Sequence, residues 1–217
     1  VALVASRWAP RVIEPDSDAH LDAWRAWAIP RRVGRLLLQP AWLPLDADDP
    51  ECVVVQVDPG RSFGSGSHAS TRLVLAVLQD ELRGGERVLD VGCGSGVLAV
   101  AACRLGAASA VGIDVDPAAV AATLENAARN GVGAVVAAST TPVGDLRGTF
   151  DVVLANIGAR VLRELAGPIC ARVAPGGRLV LAGLLDEQVD GVVAAYTGMR
   201  LAEQRTEDGW TAAVLRA

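Results

Sequence analysis

Val88-Leu89-Asp90-Val91-Gly92-Cys93-Gly94-Ser95-Gly96 is the stretch whose reading decides the fold. A short, largely apolar strand runs straight into alternating glycines, and a helical pattern opens at Val97. Glycines there permit a tight turn and let the backbone approach a ligand closely at the helix N-terminus. A second apolar strand ends Gly112-Ile113-Asp114, twenty-two residues after Gly92. An acidic residue at that distance is placed to accept hydrogen bonds from the two hydroxyls of a ribose.

Outward from this turn, strands alternate with helices. The helix Thr71–Leu82 leads into the strand Arg87–Val91, and the helix Val97–Leu105 into Ala110–Ile113. The helix Pro117–Asn130 precedes a short strand at Ala134–Ala137. The strand Phe150–Ala155 precedes the helix Arg160–Val173, and the strand Arg178–Leu181 precedes the helix Glu187–Tyr196. Continuous apolar strands, each followed by a helix, indicate a parallel sheet covered on both faces. Two closing strands, about Arg200–Arg205 and Thr211–Leu215, have only the Asp208-Gly209 turn between them and must form an antiparallel hairpin. The expected fold is α/β: a Rossmann-like, seven-stranded, mostly parallel sheet with helices on both faces and that hairpin at its C-terminal edge.

Residues 1–50 differ from the rest. They hold Trp8, Trp24, Trp27 and Trp42, four of the five tryptophans, and a polar run at Asp16-Ser17-Asp18. A short helix is expected around His20–Ala28, a strand at Arg35–Gln39 ended by Pro40, and a strand at Cys52–Val57 after the Asp46–Pro50 turn. Trp24 and Trp27, three residues apart, would share a face of that helix and are expected to pack on the main domain. The chain is therefore divided into an extension over 1–50 and a main domain over 51–217.

Composition excludes several classes. No apolar run reaches the ~18 residues that span a bilayer, and the N-terminus lacks a secretory pattern, so a soluble cytoplasmic protein without membrane contact is expected. Four scattered cysteines (Cys52, Cys93, Cys103, Cys170) and two histidines offer neither a zinc pattern nor a disulfide framework, and no metal is expected. The net charge of −5 gives no support for nucleic-acid binding. All 20 basic residues are arginine, which reads as compositional bias. The chain starts at Val1 and its one methionine is Met199, so either an initiator was removed or the sequence is part of a longer protein.

Spacing and charge choose the ligand. A pyrophosphate-binding fingerprint is G-x-G-x-x-G, whereas here the pattern is G-x-G-x-G, with Val97 at the position of the third glycine. Asp90, two residues before the first glycine, would repel a pyrophosphate and suits a cationic ligand. S-adenosylmethionine, with an ammonium and a sulfonium, fits both features. A dinucleotide-dependent oxidoreductase is disfavoured by the same spacing and by the antiparallel ending.

The loop before the sheet reads Asp58-Pro59-Gly60-Arg61-Ser62-Phe63-Gly64-Ser65-Gly66-Ser67-His68-Ala69-Ser70-Thr71. Taken alone it is a glycine-rich loop capping a helix. Together with Val88–Gly96, Gly112–Pro117 and Leu154-Ala155-Asn156-Ile157 it resembles the ribosomal protein L-11 methyltransferases, class I enzymes that carry closely similar motifs in the same order. Gly34–Leu37 and Pro40-Ala41-Trp42 extend the resemblance, which covers roughly residue 20 to the end.

The resemblance implies an S-adenosylmethionine-dependent N-methyltransferase of the protein-lysine type, acting on lysine or N-terminal amines of ribosomal protein L-11. It implies cofactor contacts from Thr71, Gly92, Asp114 and Asn156, and a loop with Phe63, Gly64 and His68 closing over the cofactor. The cofactor-binding set expected from the residues and the resemblance together is Gly64, Thr71, Asp90, Gly92, Gly94, Gly96, Asp114 and Asn156; the expected catalytic set is Asn156, His68 and Phe63. Asn156, at the end of a central strand, would orient the amine; His68 would accept a proton or cap its helix. Ser65, Ser67 and Ala69 stand where the family has threonines and a proline. Family members also carry a small N-terminal domain that recognises the ribosomal protein, for which residues 1–20 are too short; the implied member lacks it. A methyltransferase acting on another protein or a small molecule, or a non-catalytic cofactor-binding module, are the alternatives.

Overall fold

The structure is a computed structural model that describes residues 28–44, 52–60 and 64–217. The expected helix at His20–Ala28, its tryptophans, the Asp46–Pro50 turn and Phe63 lie outside the described residues, apart from Ala28 itself. Ten strands and six α-helices are described. Strands β1 (Arg31–Val33), β2 (Leu36–Pro40) and β3 (Val53–Val57) form a small sheet in that order. The main sheet contains β4 (Arg87–Val91), β5 (Ser109–Ile113), β6 (Val136–Ser139), β7 (Phe150–Asn156), β8 (Val173–Leu185), β9 (Arg200–Glu207) and β10 (Trp210–Arg216). Its order is β6-β5-β4-β7-β8-β10-β9. Strands β6 to β8 of that order run parallel, and β10 is inserted antiparallel between β8 and β9. This is the expected seven-stranded sheet.

Why the central strands read as unbroken apolar runs is visible in where alternate residues go. Val88, Val152, Leu154, Val180, Ala182, Ala212 and Val214 enter one hydrophobic cluster. Leu89, Val91, Val153, Ala155, Leu179, Leu181, Ala213 and Leu215 enter the other. Both faces are dry, so both residue parities must be apolar. Helices α1 (Ala69–Glu81), α2 (Val97–Arg104) and α3 (Pro117–Arg129) cover the first face, joined by Leu36, Leu38, Val55 and Val57 of the small sheet. Helices α4 (Ala159–Glu164), α5 (Ala166–Cys170) and α6 (Val189–Val193) cover the second. Edge strand β9 alternates exposed and half-buried residues and carries charge, which suits an unpaired edge.

Four sequence expectations are corrected. The strand at Arg35–Gln39 is the second arm of a hairpin, its first arm being the short, exposed Arg31-Arg32-Val33, which has no hydrophobic alternation to reveal it. The single helix Arg160–Val173 is two, because Pro168 is compatible only with a first helical turn and the helix restarts at Ala166. Strand β8 begins at Val173, with residues 174–177 bulging out before pairing resumes at Arg178. The helix Glu187–Tyr196 shrinks to a 3-10 turn over Asp186–Gln188 and Val189–Val193, where Gly191 and three valines weaken the helix.

Candidate functional site

Strands β4, β5 and β6 progress to one side of the sheet, and β7 returns to the other side of β4. The carboxyl edge between β4 and β7 is thus a topological switch point, where crossover loops diverge and leave a crevice. A cavity of about 470 Å³ opens there, lined by Gly64, Thr71, Gly92, Gly94, Asp114 and Asn156 among others.

The glycine turn is built by local backbone demands. Gly92, Gly94 and Gly96 have φ of 75°, 53° and 76°, values that side-chain-bearing residues rarely adopt. The Gly92 and Cys93 amides both donate to the Ile113 carbonyl, at 2.8 and 3.0 Å, which ties the turn to the end of β5. A Cβ on Gly92 would collide with Ile157 Cγ2, so this glycine lets the Ile157 side chain pack against the turn. Gly96 serves differently: a Cβ there would meet the Thr123 backbone and side chain at under 3 Å, so it allows α3 to pack on the turn.

Asp114 faces the turn across the cavity mouth. Its Oδ2 accepts from the Gly94 amide at 3.0 Å and its Oδ1 from the Asp116 amide at 3.0 Å. The carboxylate is half-buried and oriented before any ligand arrives. On the opposite side, Asn156 Nδ2 donates to Thr71 Oγ1 at 3.3 Å, joining β7 to the first turn of α1. That bond engages a donor of the amide and leaves the Oδ1 acceptor for a ligand.

Three expected site residues do not line the cavity. Asp90 is fully buried in β4, and neither carboxylate oxygen has a hydrogen-bond partner. Burial pushes its carboxyl up to about 7, the Ala99 backbone amide of α2 draws it partly back without forming a bond of ordinary geometry, and the nearby Asp114 charge adds to the rise. Gly96 lies behind the turn. His68 is the N-cap of α1: its Nδ1 accepts from the Ser70 amide at 3.3 Å and pairs with Ser70 Oγ at 2.8 Å. Its ring stands edge-on to Trp210, with centroids 4.6 Å apart. Phe63 lies outside the described residues.

Other contributors escaped the sequence reading. Val115, Asp116, Ile157, Val161 and Leu165 line the cavity, and Val115 is 95% exposed. Gly183, with φ 78°, lets β8 pass Asn156 and Ile157 so closely that a Cβ would sit 2.7 Å from the Ile157 carbonyl oxygen. An isolated glycine inside an apolar strand was the available signal for it. Among the described residues, no group of three or more His, Cys, Asp or Glu side chains is arranged to hold a metal ion, and no helix is long and apolar enough to cross a membrane.

The profile of the ribosomal protein L11 methyltransferase (PrmA) family matches residues 13–217. The chain belongs to that family. It is similar to the ribosomal protein L11 methyltransferase of Ralstonia pickettii, 48% identical over 172 residues, covering 79% of this chain and 56% of that protein. The Geobacter metallireducens protein of the same name is 46% identical over 213 residues, 96% of this chain and 69% of its own length. The crystal structure of a ribosomal protein L11 methylase from Lactobacillus delbrueckii subsp. bulgaricus superposes with a TM-score of 0.81 at 26% identity, covering 87% of this chain and 98% of that one. This family member thus spans little more than half the length of its Ralstonia relative. Membership agrees with the resemblance carried by the loop before α1, the glycine turn, Gly112–Pro117 and Leu154–Ile157.

Proposed function

We propose that this chain is an S-adenosylmethionine-dependent N-methyltransferase that modifies protein amines, lysine side chains or an N-terminal α-amine, with ribosomal protein L11 as its substrate. The observation that carries the reading is the convergence, in one cavity at the switch point, of the glycine turn and Asp114 on one side with Asn156 and Thr71 on the other. Relatives bearing that substrate's name support the choice of target. The methyltransferase unit is assigned to residues 51–217, to which β1 and β2 add through the pairing of β2 with β3.

The residues fit the cofactor. A volume of about 470 Å³ suits a ligand of that size. Val97, Leu98, Val115, Ala119, Val161 and Leu165 supply apolar walls for a flat heterocycle, and Asp114 supplies a carboxylate for ribose hydroxyls. Gly64, Thr71, Gly92, Gly94 and Asp114, all lining the cavity, would hold the molecule. When bound, S-adenosylmethionine supplies a methyl group activated on a sulfonium.

The chain's own work is to present the amine. A lysine amine must be neutral to act as a nucleophile, although free in water its pKa is ~10.4. The apolar lining lowers that value, because desolvation disfavours the ammonium. Asn156 Oδ1 accepts one N–H of the neutral amine and so aims its lone pair into the cavity. Thr71 holds the Asn156 amide in place through its hydroxyl. His68 is assigned to holding the start of α1 beside the site.

The test is incubation with radiolabelled S-adenosylmethionine and purified ribosomal protein L11, beside whole-cell lysate. Label on L11 supports the proposal. Label confined to other proteins or small molecules removes L11 as the substrate, and absence of any transfer removes the activity.

A further inference from the structure

Helix α3 ends on two inward-facing asparagines, Asn126 in its last turn and Asn130 at its C-cap, one helical turn apart and both at least nine-tenths buried. Asparagine is a poor residue for a helix interior, so Asn126, inside α3 and facing inward, calls for an explanation. Both use their amides to imitate a neighbouring strand. Asn130 accepts from the Gln56 amide at 2.8 Å and donates to the Gln56 carbonyl at 2.7 Å. Asn126 accepts from the Asp58 amide at 3.0 Å and donates to the Asp58 carbonyl at 2.8 Å. Their further bonds differ: Asn126 Nδ2 also donates to the Ser95 carbonyl, at 2.9 Å, inside the glycine turn, whereas Asn130 Nδ2 also donates to the Asn126 carbonyl of its own helix, at 2.7 Å.

We infer that Asn126 is a positioning residue for the cofactor cavity, clasping the start of the loop before α1 to the glycine turn. Asp58 is the first residue beyond β3, where strand pairing has ended and both of its backbone groups need partners. Asn126 satisfies both and, through the same amide, fixes Ser95. Ser95 closes the clasp from its other end, its Oγ donating to the Gly64 carbonyl at 2.6 Å and accepting from the Val97 amide at 3.3 Å. The loop is thereby fastened to the turn at Asp58 and at Gly64. Gly64 lines one wall of the cavity, and Gly92 and Gly94 line another. Neither Asn126 nor Ser95 lines the cavity itself, so their effect on a ligand runs through the two segments they join. A full set of partners, including an Arg129 guanidinium N–H on Oδ1, leaves the Asn126 amide no freedom to turn.

Asn130 is the internal control, with the same residue type, helix and mode of backbone capture but no bond to the turn. The inference rests on the cavity being a cofactor site, so the experiment reads two quantities that separate the two claims. Calorimetry with S-adenosylhomocysteine measures affinity; amide hydrogen exchange of the ligand-free protein measures whether residues 58–71 are held. For Asn126→Ala the expectation is a Kd about tenfold weaker, as losing hydrogen bonds of ordinary strength allows, with faster exchange concentrated in 58–71. In turnover assays the cofactor KM rises more than kcat falls. Asn130→Ala loses thermal stability to a similar degree but keeps its Kd within about twofold of wild type. Asn126→Asp, which keeps the acceptor but loses both donors, does not rescue affinity.

Equal Kd changes in the Asn126 and Asn130 variants, or unchanged loop exchange in Asn126→Ala, overturn the inference. If Asn126→Ala does not fold, Ser95→Ala, a one-atom deletion, carries the same readouts from the other end of the clasp, and unchanged exchange at 58–71 there overturns it. If the wild-type chain fails to bind S-adenosylhomocysteine, the cofactor reading falls, and the exchange comparison still decides whether the clasp holds the loop.

Discussion

The glycine turn and the loop before α1 form two walls of one cavity, yet they reach their shapes by opposite routes. Gly92–Gly96 is shaped chiefly from within: three glycines take positive φ, and the Gly92 and Cys93 amides tie the turn to the end of β5. The loop is shaped from outside, by side chains that lie far along the chain. Ser95 holds Gly64 and Asn126 holds Asp58, across 31 and 68 residues. A segment whose conformation is local tolerates changes elsewhere, whereas one held by borrowed partners transmits them. Ligand affinity in this protein should therefore respond to residues that never touch the ligand.

The largest expected effect lies where the two walls meet the acceptor. Asn156→Ala removes both the proposed amine acceptor and the link to Thr71, and methyl transfer should fall about a hundredfold, as misplacement of a reacting group does. S-adenosylhomocysteine binding should stay nearly intact by calorimetry; a large loss of binding would show Asn156 to be part of the cofactor wall instead.

Asp114→Ala tests the turn side. The carboxylate organises the Gly94 and Asp116 amides as well as facing the cavity, so cofactor affinity should drop on the order of tenfold to a hundredfold, the range for hydrogen bonds to a charged group. An unchanged Kd would break the claim that the turn is a ligand wall.

Asp90 sharpens the contrast through pH. Its carboxyl, pushed up to about 7 chiefly by burial, stabilises the fold most when protonated. That contribution is complete below the unfolded value of 3.8 and is lost as pH rises through about 7. The neutral isostere Asp90→Asn has no such loss, so its melting temperature relative to wild type should be more favourable at pH 8 than at pH 5. A difference independent of pH would mean that the carboxylate is ionised throughout.

The smallest effect belongs to the loop's exit. Ala69 opens α1 directly after His68, whose φ of −70° and ψ of 140° suit a residue before proline. Ala69→Pro at this first helical position should stabilise the protein by about 0.5–1 kcal/mol in urea titration, mainly through the unfolded chain. Destabilisation would show that the buried Ala69 side has no room for the ring.

Much of this was legible in the residues because the relevant forces are local. Strand β4 matches its expected bounds, since apolar runs ending at glycines admit few other structures. The turn, Asp114 and Asn156 do share one cavity, and the residues pointed to them because each sits at a strand end, where this fold collects ligands. The break at Leu165, ahead of Pro168, and the short α6 were missed because helical periodicity outweighed helix-breaking residues. Asp90 is expected in the site for its charge and Gly96 for its place in the glycine pattern, yet one is fully buried away from the cavity and the other packs against Thr123. Asn126 was missed because nothing in a helix announces which strand its face will meet, although two asparagines four residues apart were a visible anomaly.

By itself, then, the sequence determined the alternation of elements, the antiparallel closure and the turn, because periodicity and glycine stereochemistry act over a few residues. Only the tertiary structure decided which residues share the cavity, how the loop before α1 is anchored and that the buried Asp90 carboxyl finds no hydrogen-bond partner. Those depend on contacts between segments tens of residues apart, and no local pattern encodes which side chain of one will satisfy the backbone of the other.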